Sequence, residues 1–491
     1  MPHLYQELEK YSHSDYYPYH MPGHKRKHCG AFLPDAYKMD ITEIDGFDNL
    51  HDAQGIIKEA EERAARLYHS EETYFLINGS TCGILTAISA AVRKGGTLLM
   101  SRNCHKAVYH AVLLNELNPV YLYPDIVTAY DLCGGITAEQ VEKALMENPA
   151  AKAVMITSPS YDGVVSDIKS IAEVTHAHEL PLLVDEAHGA HFGFSDKFPK
   201  SAVEQGADIV IHSVHKTLPA FTQTALLHVN GKLVNRERVK KYLGIYQSSS
   251  PSYLLMAGID YCMELLEKEG NSRFLAFAEN LSDFYKKALG LKHLELVTEQ
   301  IIGRNGIYDF DRGKLIISTK KTDISGKELY EKLLKDYHLQ AEMAAGSYCL
   351  MIMTIMDTKE GYLRLLEALS KIDRELGSKT DKEPNPPICR SRAAMNISEA
   401  AEYEKKWVPL AESVGRVSAG TVFLYPPGIP LIVPGEEISE NLYRQLLQDK
   451  KSGLNICGLN PENEEEIAVI WEKSIISLEK ALQEKTPYIK E

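Results

Sequence analysis

The chain has 491 residues, which is enough for several domains with large buried cores. A composition of 44% hydrophobic and 25% charged residues is typical of a globular protein and excludes disordered, collagen-like and low-complexity classes. The formal net charge of −14 argues against a nucleic-acid-binding surface. No apolar run approaches about 18 residues, and the N-terminus lacks the pattern of a signal peptide, so we expect a cytoplasmic location without membrane contact.

The eight cysteines lie far apart and include no C-x-x-C pair. This spacing favours neither a disulfide framework nor a zinc ribbon. We therefore expect reduced thiols and no metal site built on cysteine.

Between about residues 74 and 229, short apolar runs alternate with helical patterns. This alternation predicts an α/β fold, with βαβ units around a mostly parallel seven-stranded sheet. Two of the helical patterns, 137–146 and 166–178, end just before a proline. The predicted strands are 74–79, 97–101, 119–124, 153–159, 181–188, 208–216 and 224–229.

The sequence pattern changes after Ser252, where long amphipathic helices precede a strand–helix–strand–helix pattern. That pattern predicts a smaller α+β domain. The Pro/Gly-dense segment 425–438 suits neither a helix nor a central strand. The predicted organisation is an N-terminal segment 1–55, a large domain 56–290, a small domain 291–376, a connector 377–392 and a C-terminal region 393–491.

The loop Asn78-Gly-Ser-Thr-Cys-Gly83 lies between a predicted strand and a predicted helix. Two glycines allow close approach of a ligand, Ser80 and Thr81 offer hydroxyls, and the start of a helix presents free N–H groups. The loop is a candidate phosphate site. An ordinary capped turn is the alternative.

Asp185 ends the predicted strand of PLLVDEAH, and Lys216 ends the adjacent predicted strand of IHSVHKT. A desolvated lysine can act as a nucleophile, and an acid can hold a pyridine nitrogen protonated, so the two fit the pair that pyridoxal phosphate requires. The alternatives are that Lys216 is an exposed lysine at a strand end and that Asp185 has a structural role only.

Two further interpretations of the Asp185 segment are less favoured. Asp-Glu-Ala-His also occurs in helicases, but the chain contains no G-K-[ST] nucleotide loop. His176, His178, His188 and His191 are possible metal ligands, yet residues two apart on a helix point in different directions. We expect no metal site.

Seven motifs are spread along the chain: His20-Met-Pro-Gly-His-Lys-Arg26, Asn49-Leu-His51 with Gly55, Asn103-Cys-His105-Lys-Ala, Ser160-Tyr-Asp-Gly163, DEAHGAHF, HSVHKTLPAFTQTA and YPPGIPLIVPGE. Together they resemble the Orn/Lys/Arg decarboxylase family, over about residues 4 to 440 and beyond. The resemblance implies a pyridoxal-phosphate enzyme of the aspartate-aminotransferase fold, fold type I, that decarboxylates a basic amino acid toward polyamines. It also implies a short form without a receiver-like N-terminal domain.

The resemblance assigns roles to individual residues. Lys216 corresponds to the lysine that forms a Schiff base with the cofactor, Asp185 to the partner of the pyridine nitrogen, and His105 to the imidazole stacked on the ring. A polar residue at a helix start is the alternative for His105. The other implied cofactor contacts are Ser80, Thr81, Cys82, Ala187, His188, Ser213 and His215, together with Ser249 and Ser250 of a second subunit, so a homodimer is implied.

The sequence says less about which residues bind the substrate. Gly420 stands where family members usually carry glutamate, which leaves the choice among arginine, lysine and ornithine open. A cationic side chain needs an anion, and Glu436 and Asp162 are the candidates, each with a solvated surface position as the alternative. Transamination or elimination, and a catalytically silent regulatory paralogue, remain as other functions.

Overall fold

The computed structural model of the protein describes residues 13–25, 27, 36–378, 390–425 and 428–471. Arg26, most of the predicted connector 377–392 and the proline pair 426–427 lie outside the described residues. Within those ranges no helix is both long and apolar enough to cross a membrane. All six cysteines that the described ranges contain are free thiols.

Seven strands of the described chain form one sheet in the order β1-β7-β6-β5-β4-β2-β3. Only β7 runs antiparallel to its two neighbours, so the predicted mostly parallel sheet is confirmed. The strands are β1 (Glu72–Leu76), β2 (Thr97–Ser101), β3 (Asn118–Leu122), β4 (Ala151–Thr157), β5 (Leu182–Asp185), β6 (Ile209–His212) and β7 (Ala225–Val229).

Helices cover both faces of this sheet, which is why its strands are almost continuously apolar. Successive strand residues such as Leu98 and Leu99 enter two different cores, one on each face. The helices up to the end of the large domain are α1 (Ala36–Met39), α2 (Ile56–Tyr68), α3 (Gly79–Ala91), α4 (Lys106–Leu114), α5 (Ala138–Glu147), α6 (Ile168–Ala177), α7 (Val214–Thr217), α8 (Arg236–Tyr246) and α9 (Tyr253–Ala288).

The two predicted strands that carry Asp185 and Lys216 are much shorter than the sequence pattern indicates. The predicted strand 181–188 ends at Asp185, and the predicted strand 208–216 ends at His212. The prediction that Lys216 ends a strand is therefore wrong in detail, because Lys216 lies in the one-turn helix α7. In both segments polar residues follow the apolar run. Each strand ends there because no further apolar side chains are available to pack into the core.

The smaller domain contains a four-stranded antiparallel sheet in the order β8-β9-β11-β10. Its elements are β8 (Glu295–Leu296), β9 (Lys314–Ser318), α10 (Gly326–Tyr337), β10 (Met343–Ala344), β11 (Tyr348–Ile352) and α11 (Lys359–Glu375). A capping box between Ser325 and Glu328 starts α10. The predicted strand–helix–strand–helix order is thus found, and α9 is one continuous helix.

The C-terminal region adds two small antiparallel sheets. The pair β12 (Lys405–Pro409) and β16 (Glu466–Ile470) forms the first, and β14-β13-β15 forms the second. The remaining elements are α12 (Ile397–Ala401), β13 (Val422–Leu424), β14 (Ile429–Ile432), α13 (Glu440–Lys451) and β15 (Ile456–Cys457). The proline-containing strand β14 lies at a sheet edge, where its missing N–H donor costs no ladder bond.

Six further two-residue strands of the described chain form three pairs, two of which join different domains. Tyr17–Pro18 pairs in parallel with Leu339–Gln340, which attaches the N-terminal segment to the small domain. Val164–Val165 pairs with Asp309–Phe310, and Ile126–Val127 pairs with Leu132–Cys133.

Candidate active site

Asp185 and Lys216 lie at the same edge of the central sheet. Asp185 is opposite Ile211 in the parallel pairing of β5 with β6, and α7 follows β6 directly. The carboxyl ends of parallel strands are where open α/β sheets bind their ligands. We call the group Asp185, His188, His105, Ser213 and Lys216 the cofactor edge.

The carboxylate of Asp185 is buried and accepts a hydrogen bond from the backbone. Its Oδ1 accepts a 3.1 Å hydrogen bond from the backbone N–H of Ala187. Burial raises the pKa of Asp185, and the nearby positive charge of Lys216 lowers it. A buried carboxylate in this position suits a protonated ring nitrogen, which would replace the lost water.

Lys216 is half-buried, and its amine contacts a histidine. Lys216 Nζ lies 3.0 Å from His188 Nε2. Burial lowers the pKa of Lys216, while Asp185 and Glu342 raise it. Such an environment makes the neutral, nucleophilic form of the amine accessible.

The other nitrogen of His188 contacts a second lysine that the sequence reasoning missed. Lys314 Nζ lies 2.8 Å from His188 Nδ1, and Tyr161 packs on the imidazole at a ring-centroid distance of 4.6 Å. Lys314 begins β9 of the small domain. The sequence holds no sign of this contact, since a lysine at a strand start is ordinarily exposed.

His105 caps the start of α4. Its Nδ1 accepts a 3.2 Å hydrogen bond from the N–H of Ala107, which leaves the proton on Nε2. Burial, with the positive charge of Lys216, lowers the pKa of His105 to about 3, so the ring is neutral. Gly428 approaches the ring closely, since a Cβ there would lie 3.5 Å from His105 Cδ2. A neutral, partly enclosed imidazole can stack on a cofactor ring.

The start of α3 supplies hydroxyls and free N–H groups. Ser80 Oγ lies 2.5 Å from Ser213 Oγ, which connects this helix to the segment that carries Lys216. Gly79 has a φ of +73°, a conformation that favours glycine. The 13-residue helix α3 therefore presents two serine hydroxyls and its positive end at one point, and this donor set fits a phosphate group.

The remaining predicted contacts of the loop differ in exposure. Thr81 is exposed, whereas Cys82 is buried and its thiol donates to the carbonyl of Gly79. Burial raises the pKa of Cys82 to about 12, so the thiol is uncharged. Its side chain is therefore directed into the helix, and only its backbone N–H remains a candidate for the phosphate.

His215 and the predicted partner segment also lie near the sheet edge. His215 Nδ1 is 2.9 Å from the carbonyl oxygen of Thr224, and burial lowers the pKa of His215 to about 4. Ser249 and Ser250 are exposed. The N–H of Ser248 donates to Asn78 Oδ1 of the same chain at 3.2 Å. A contribution of Ser249 and Ser250 to a second subunit stays a prediction.

A cavity of about 420 Å³ lies between the large domain, the small domain and the C-terminal region. We call it the acidic cavity, because four carboxylates line it together with one lysine, Lys327. The carboxylates are Asp131, Asp162, Glu342 and Asp449.

The four carboxylates differ in how far they are paired. Asp131 binds Lys320 at 2.6 Å, and Glu342 accepts the hydroxyl of Tyr161 and the N–H of Met21. Tyr348 donates to Asp162 Oδ1 at 2.7 Å. In contrast, Asp449 Oδ2 is buried and has no hydrogen-bond partner among the described residues.

The two predicted substrate carboxylates lie in different surroundings. Asp162 lines the acidic cavity, and burial raises its pKa. Glu436 instead lies 3.1 Å from Arg102 Nη2 and accepts the N–H of Val433. Because Arg102 is completely buried, Glu436 is committed to neutralising it. Gly420 packs toward Ala468, outside the residues that line the cavity.

The histidines considered as metal ligands each have a different partner. His176 pairs with Asp208 at 2.8 Å, His178 with Glu142 at 3.3 Å and His191 with Asp311 at 3.1 Å. His188 bonds the two lysines described above. These partners account for the four side chains without bringing them together.

The fold defines the class of this protein. The mostly parallel seven-stranded sheet with helices on both faces, followed by a smaller domain, is that of the pyridoxal-phosphate-dependent transferase fold, fold type I. The structure of the lysine decarboxylase of Francisella novicida shares this fold, with a TM-score of 0.77 and 22% identity, over 95% of this chain and 80% of that one.

Sequence comparison identifies the family. The model of the Orn/Lys/Arg decarboxylase major domain matches residues 2–323, and that of the Orn/Lys/Arg decarboxylase C-terminal domain matches residues 381–463. The arginine decarboxylase of Bacillus subtilis is 32% identical, covering 96% of this chain and 98% of that protein. The arginine decarboxylase of Halalkalibacterium halodurans is 33% identical, covering 93% and 95%. The chain belongs to the Orn/Lys/Arg decarboxylase family, and the predicted resemblance is confirmed.

Proposed function

We propose that this protein converts a basic amino acid to the corresponding amine and CO2 in a pyridoxal-phosphate-dependent reaction. The observation that carries the proposal is the placement of Asp185 at the end of β5 and of Lys216 in the helical turn that follows the adjacent strand β6. Membership of the decarboxylase family and the similarity to two arginine decarboxylases support it. In the balanced reaction, a proton replaces the carboxyl group on Cα.

When bound, pyridoxal phosphate supplies an electron sink for the pair that the Cα–carboxylate bond releases. Asp185 holds a proton on the ring nitrogen, and the neutral ring of His105 packs against the cofactor. Lys216 provides the amine that anchors the cofactor and a group that can return a proton to Cα. Ser80, Ser213 and the start of α3 bind the phosphate.

The acidic cavity binds the cationic tail of the substrate. Lys320 pairs with Asp131, and the other three carboxylates still outnumber the one lining lysine, which favours an ammonium or guanidinium group over a neutral or acidic side chain. Asp162 is the carboxylate we assign to this tail, since Glu436 is occupied by Arg102. The cavity also includes Asn103, two residues before His105, so it opens beside the cofactor edge.

A substrate panel tests the proposal. The purified protein with added pyridoxal phosphate is incubated separately with arginine, lysine and ornithine, and released CO2 and amine are both measured. We expect equal amounts of the two products from at least one of these amino acids. A keto acid without CO2 would replace decarboxylation by transamination. A protein that takes up no cofactor and releases no product would be the silent paralogue.

The physiological setting is also a proposal. We propose a cytoplasmic homodimer whose product enters polyamine synthesis, with Ser249 and Ser250 of each subunit completing the phosphate site of the other. The exposure of these serines beside Asn78 and the absence of a membrane-crossing helix among the described residues support this. Sedimentation of the holoenzyme measures the assembly, and a monomer with full activity would contradict it.

A further inference from the structure

Arg102 is completely buried where the large domain meets the C-terminal region, and it lies three residues before His105 in the chain. Its guanidinium carbon Cζ is 5.5 Å from the ring centroid of Tyr109 and 5.3 Å from that of Tyr121. Nothing in the proposed reaction uses this charge, and a buried charge is costly unless it is paired. The groups that the guanidinium binds offset that cost, and most of them belong to the C-terminal region.

The guanidinium binds the C-terminal region at three points. Arg102 Nη1 donates to the carbonyl of Pro430 at 2.8 Å. Arg102 Nη2 donates to the carbonyl of Leu431 at 3.2 Å and to Glu436 Oε2 at 3.1 Å. The same oxygen of Glu436 accepts the N–H of Val433 at 3.1 Å. One side chain of the large domain therefore fixes strand β14, to which Pro430 and Leu431 belong.

On the large domain, Arg102 is bound to the helix that His105 caps. Arg102 Nη1 donates to the hydroxyl oxygen of Tyr109 at 2.8 Å, and that hydroxyl donates to the carbonyl of Arg102 at 2.6 Å. The N–H of Arg102 donates to the carbonyl of Leu122 at 2.8 Å. Because Tyr109 lies on α4 and Arg102 just before it, the guanidinium has a fixed position relative to His105.

The segment that Arg102 holds begins beside the imidazole. Gly428 immediately precedes β14, and a Cβ there would lie 3.5 Å from both Cδ2 and Nε2 of His105. The carbonyl of Gly428 accepts the N–H of Lys106 at 3.3 Å. Gly428 has a φ of +84°, which favours glycine. The backbone of the C-terminal region therefore packs against the side of the ring that carries Nε2.

We propose that Arg102, with Glu436 as its counter-charge, holds the C-terminal region against His105 and so keeps the imidazole in position to pack against the cofactor. Arg102 acts through His105 and is a positioning residue. The C-terminal region thus contributes to cofactor binding through its backbone at Gly428. The inference rests on the proposed function, because it assumes that the ring of His105 packs against pyridoxal phosphate.

The test is a double-mutant cycle that measures the affinity for pyridoxal phosphate. Equilibrium dialysis of the full-length protein, freed of cofactor, gives the Kd of four proteins. They are the wild type, a pair variant that combines Arg102→Met with Glu436→Gln, His105→Ala, and all three changes together. The pair variant leaves no unpaired buried ion, and its amide oxygen can still accept the N–H of Val433.

We expect the pair variant and His105→Ala each to raise the Kd by about 3- to 10-fold, the size of a lost aromatic packing contact. In the His105→Ala background, the pair change should raise the Kd by less than about twofold, because a residue that acts through His105 then has nothing to position. A bond that only stabilises the C-terminal region would not depend on His105 in this way.

Arg238→Met is the matched control. Arg238 is a half-buried arginine that also donates to two backbone carbonyls, those of Ser89 and Ala90, and its loss should leave the Kd unchanged. If the pair variant does not fold by circular dichroism, Arg102→Lys replaces it and carries the same expectation. A lysine ammonium lacks the planar fork that reaches two carbonyls and Glu436 together.

An equal rise in Kd from the pair change in the wild-type and His105→Ala backgrounds would overturn the inference. A folded pair variant, or a His105→Ala protein, with the wild-type Kd would also overturn it. A wild-type protein that takes up no pyridoxal phosphate would overturn the proposed function and the inference with it. A wild-type protein that binds the cofactor and releases CO2, with independent effects in the cycle, would overturn the inference alone, so the two failures are distinguishable.

Discussion

The cofactor edge and the acidic cavity lie next to each other but are built from opposite charges. The cofactor edge gathers Lys216 and neutral histidines around one carboxylate, Asp185, and the acidic cavity gathers four carboxylates around one lysine. At the cofactor edge the charged groups meet nitrogen partners, whereas Asp449 in the cavity keeps one oxygen without a partner among the described residues. This difference in charge is expected for a site that binds an anionic cofactor at one end and a cationic side chain at the other.

The largest effect should come from removing the amine of the cofactor edge. We expect Lys216→Ala to lower kcat by at least about 10³-fold, because it removes both the anchoring amine and a proton donor. Steady-state release of CO2 measures the loss. Lys200→Ala, a change at an exposed lysine, is the matched control and should leave the rate unchanged. Substantial turnover by Lys216→Ala would contradict the assignment of the site.

The second largest effect should come from changing Asp185, the carboxylate of the cofactor edge. Asp185→Asn keeps the shape but cannot stabilise a protonated ring nitrogen, so we expect kcat to fall by about 10²-fold or more. Cofactor affinity, measured by equilibrium dialysis, should fall as well. The adjacent Glu186 is the contrast, because it points into the protein and bonds Ser201 and His212. An unchanged kcat in Asp185→Asn would show that Asp185 takes no part in the reaction.

Asp162 tests the cavity rather than the cofactor edge. We expect Asp162→Asn to raise the KM for the preferred basic amino acid by about 10- to 100-fold, with a smaller change in kcat, because a buried cation loses its counter-charge. Asp336→Asn, on an exposed position of α10, is the control. A lowered kcat with an unchanged KM would assign Asp162 to the cofactor edge and remove the contrast between the two regions.

The smallest effect should be a pH dependence from Asp449. Burial raises the pKa of Asp449 to about 7, so its carboxylate is charged above that pH and neutral below it. We expect the KM for the cationic substrate to rise by about 3- to 10-fold as the pH falls through 7. Asp449→Asn should flatten this part of the KM profile at its high value. A wild-type KM that is level between pH 6 and 8 would exclude Asp449 from tail binding.

The large sheet and its two chemical residues could be predicted because their signals are local. Apolar runs bounded by polar residues identify the seven strands. Asp185 is the last residue of one of them, and Lys216 lies in the turn after the next strand of the sheet. The exact end of each strand was less predictable. The pattern of IHSVHKT does not show that Ser213 starts a helical turn, and this turn determines where Lys216 points.

The other members of the site depend on contacts between distant parts of the chain. Lys314 meets His188 across 126 residues, and Glu342 accepts from Tyr161 across 181. Glu436 had the right chemistry for a cationic tail, but Arg102 meets it across 334 residues and neutralises it. No local pattern distinguishes a carboxylate that is free for a ligand from one that is already paired.

The sequence by itself determined the α/β class and the family, and it predicted Lys216 and Asp185 as the cofactor lysine and its acid, because hydrophobic periodicity and motif spacing are properties of adjacent residues. Only the tertiary structure decided which carboxylates line the cavity, that Lys314 contacts His188, and that Asp449 is 9% exposed with one oxygen that no described residue bonds. Burial and pairing set the charge state of a group, and both arise when segments far apart in the chain pack together.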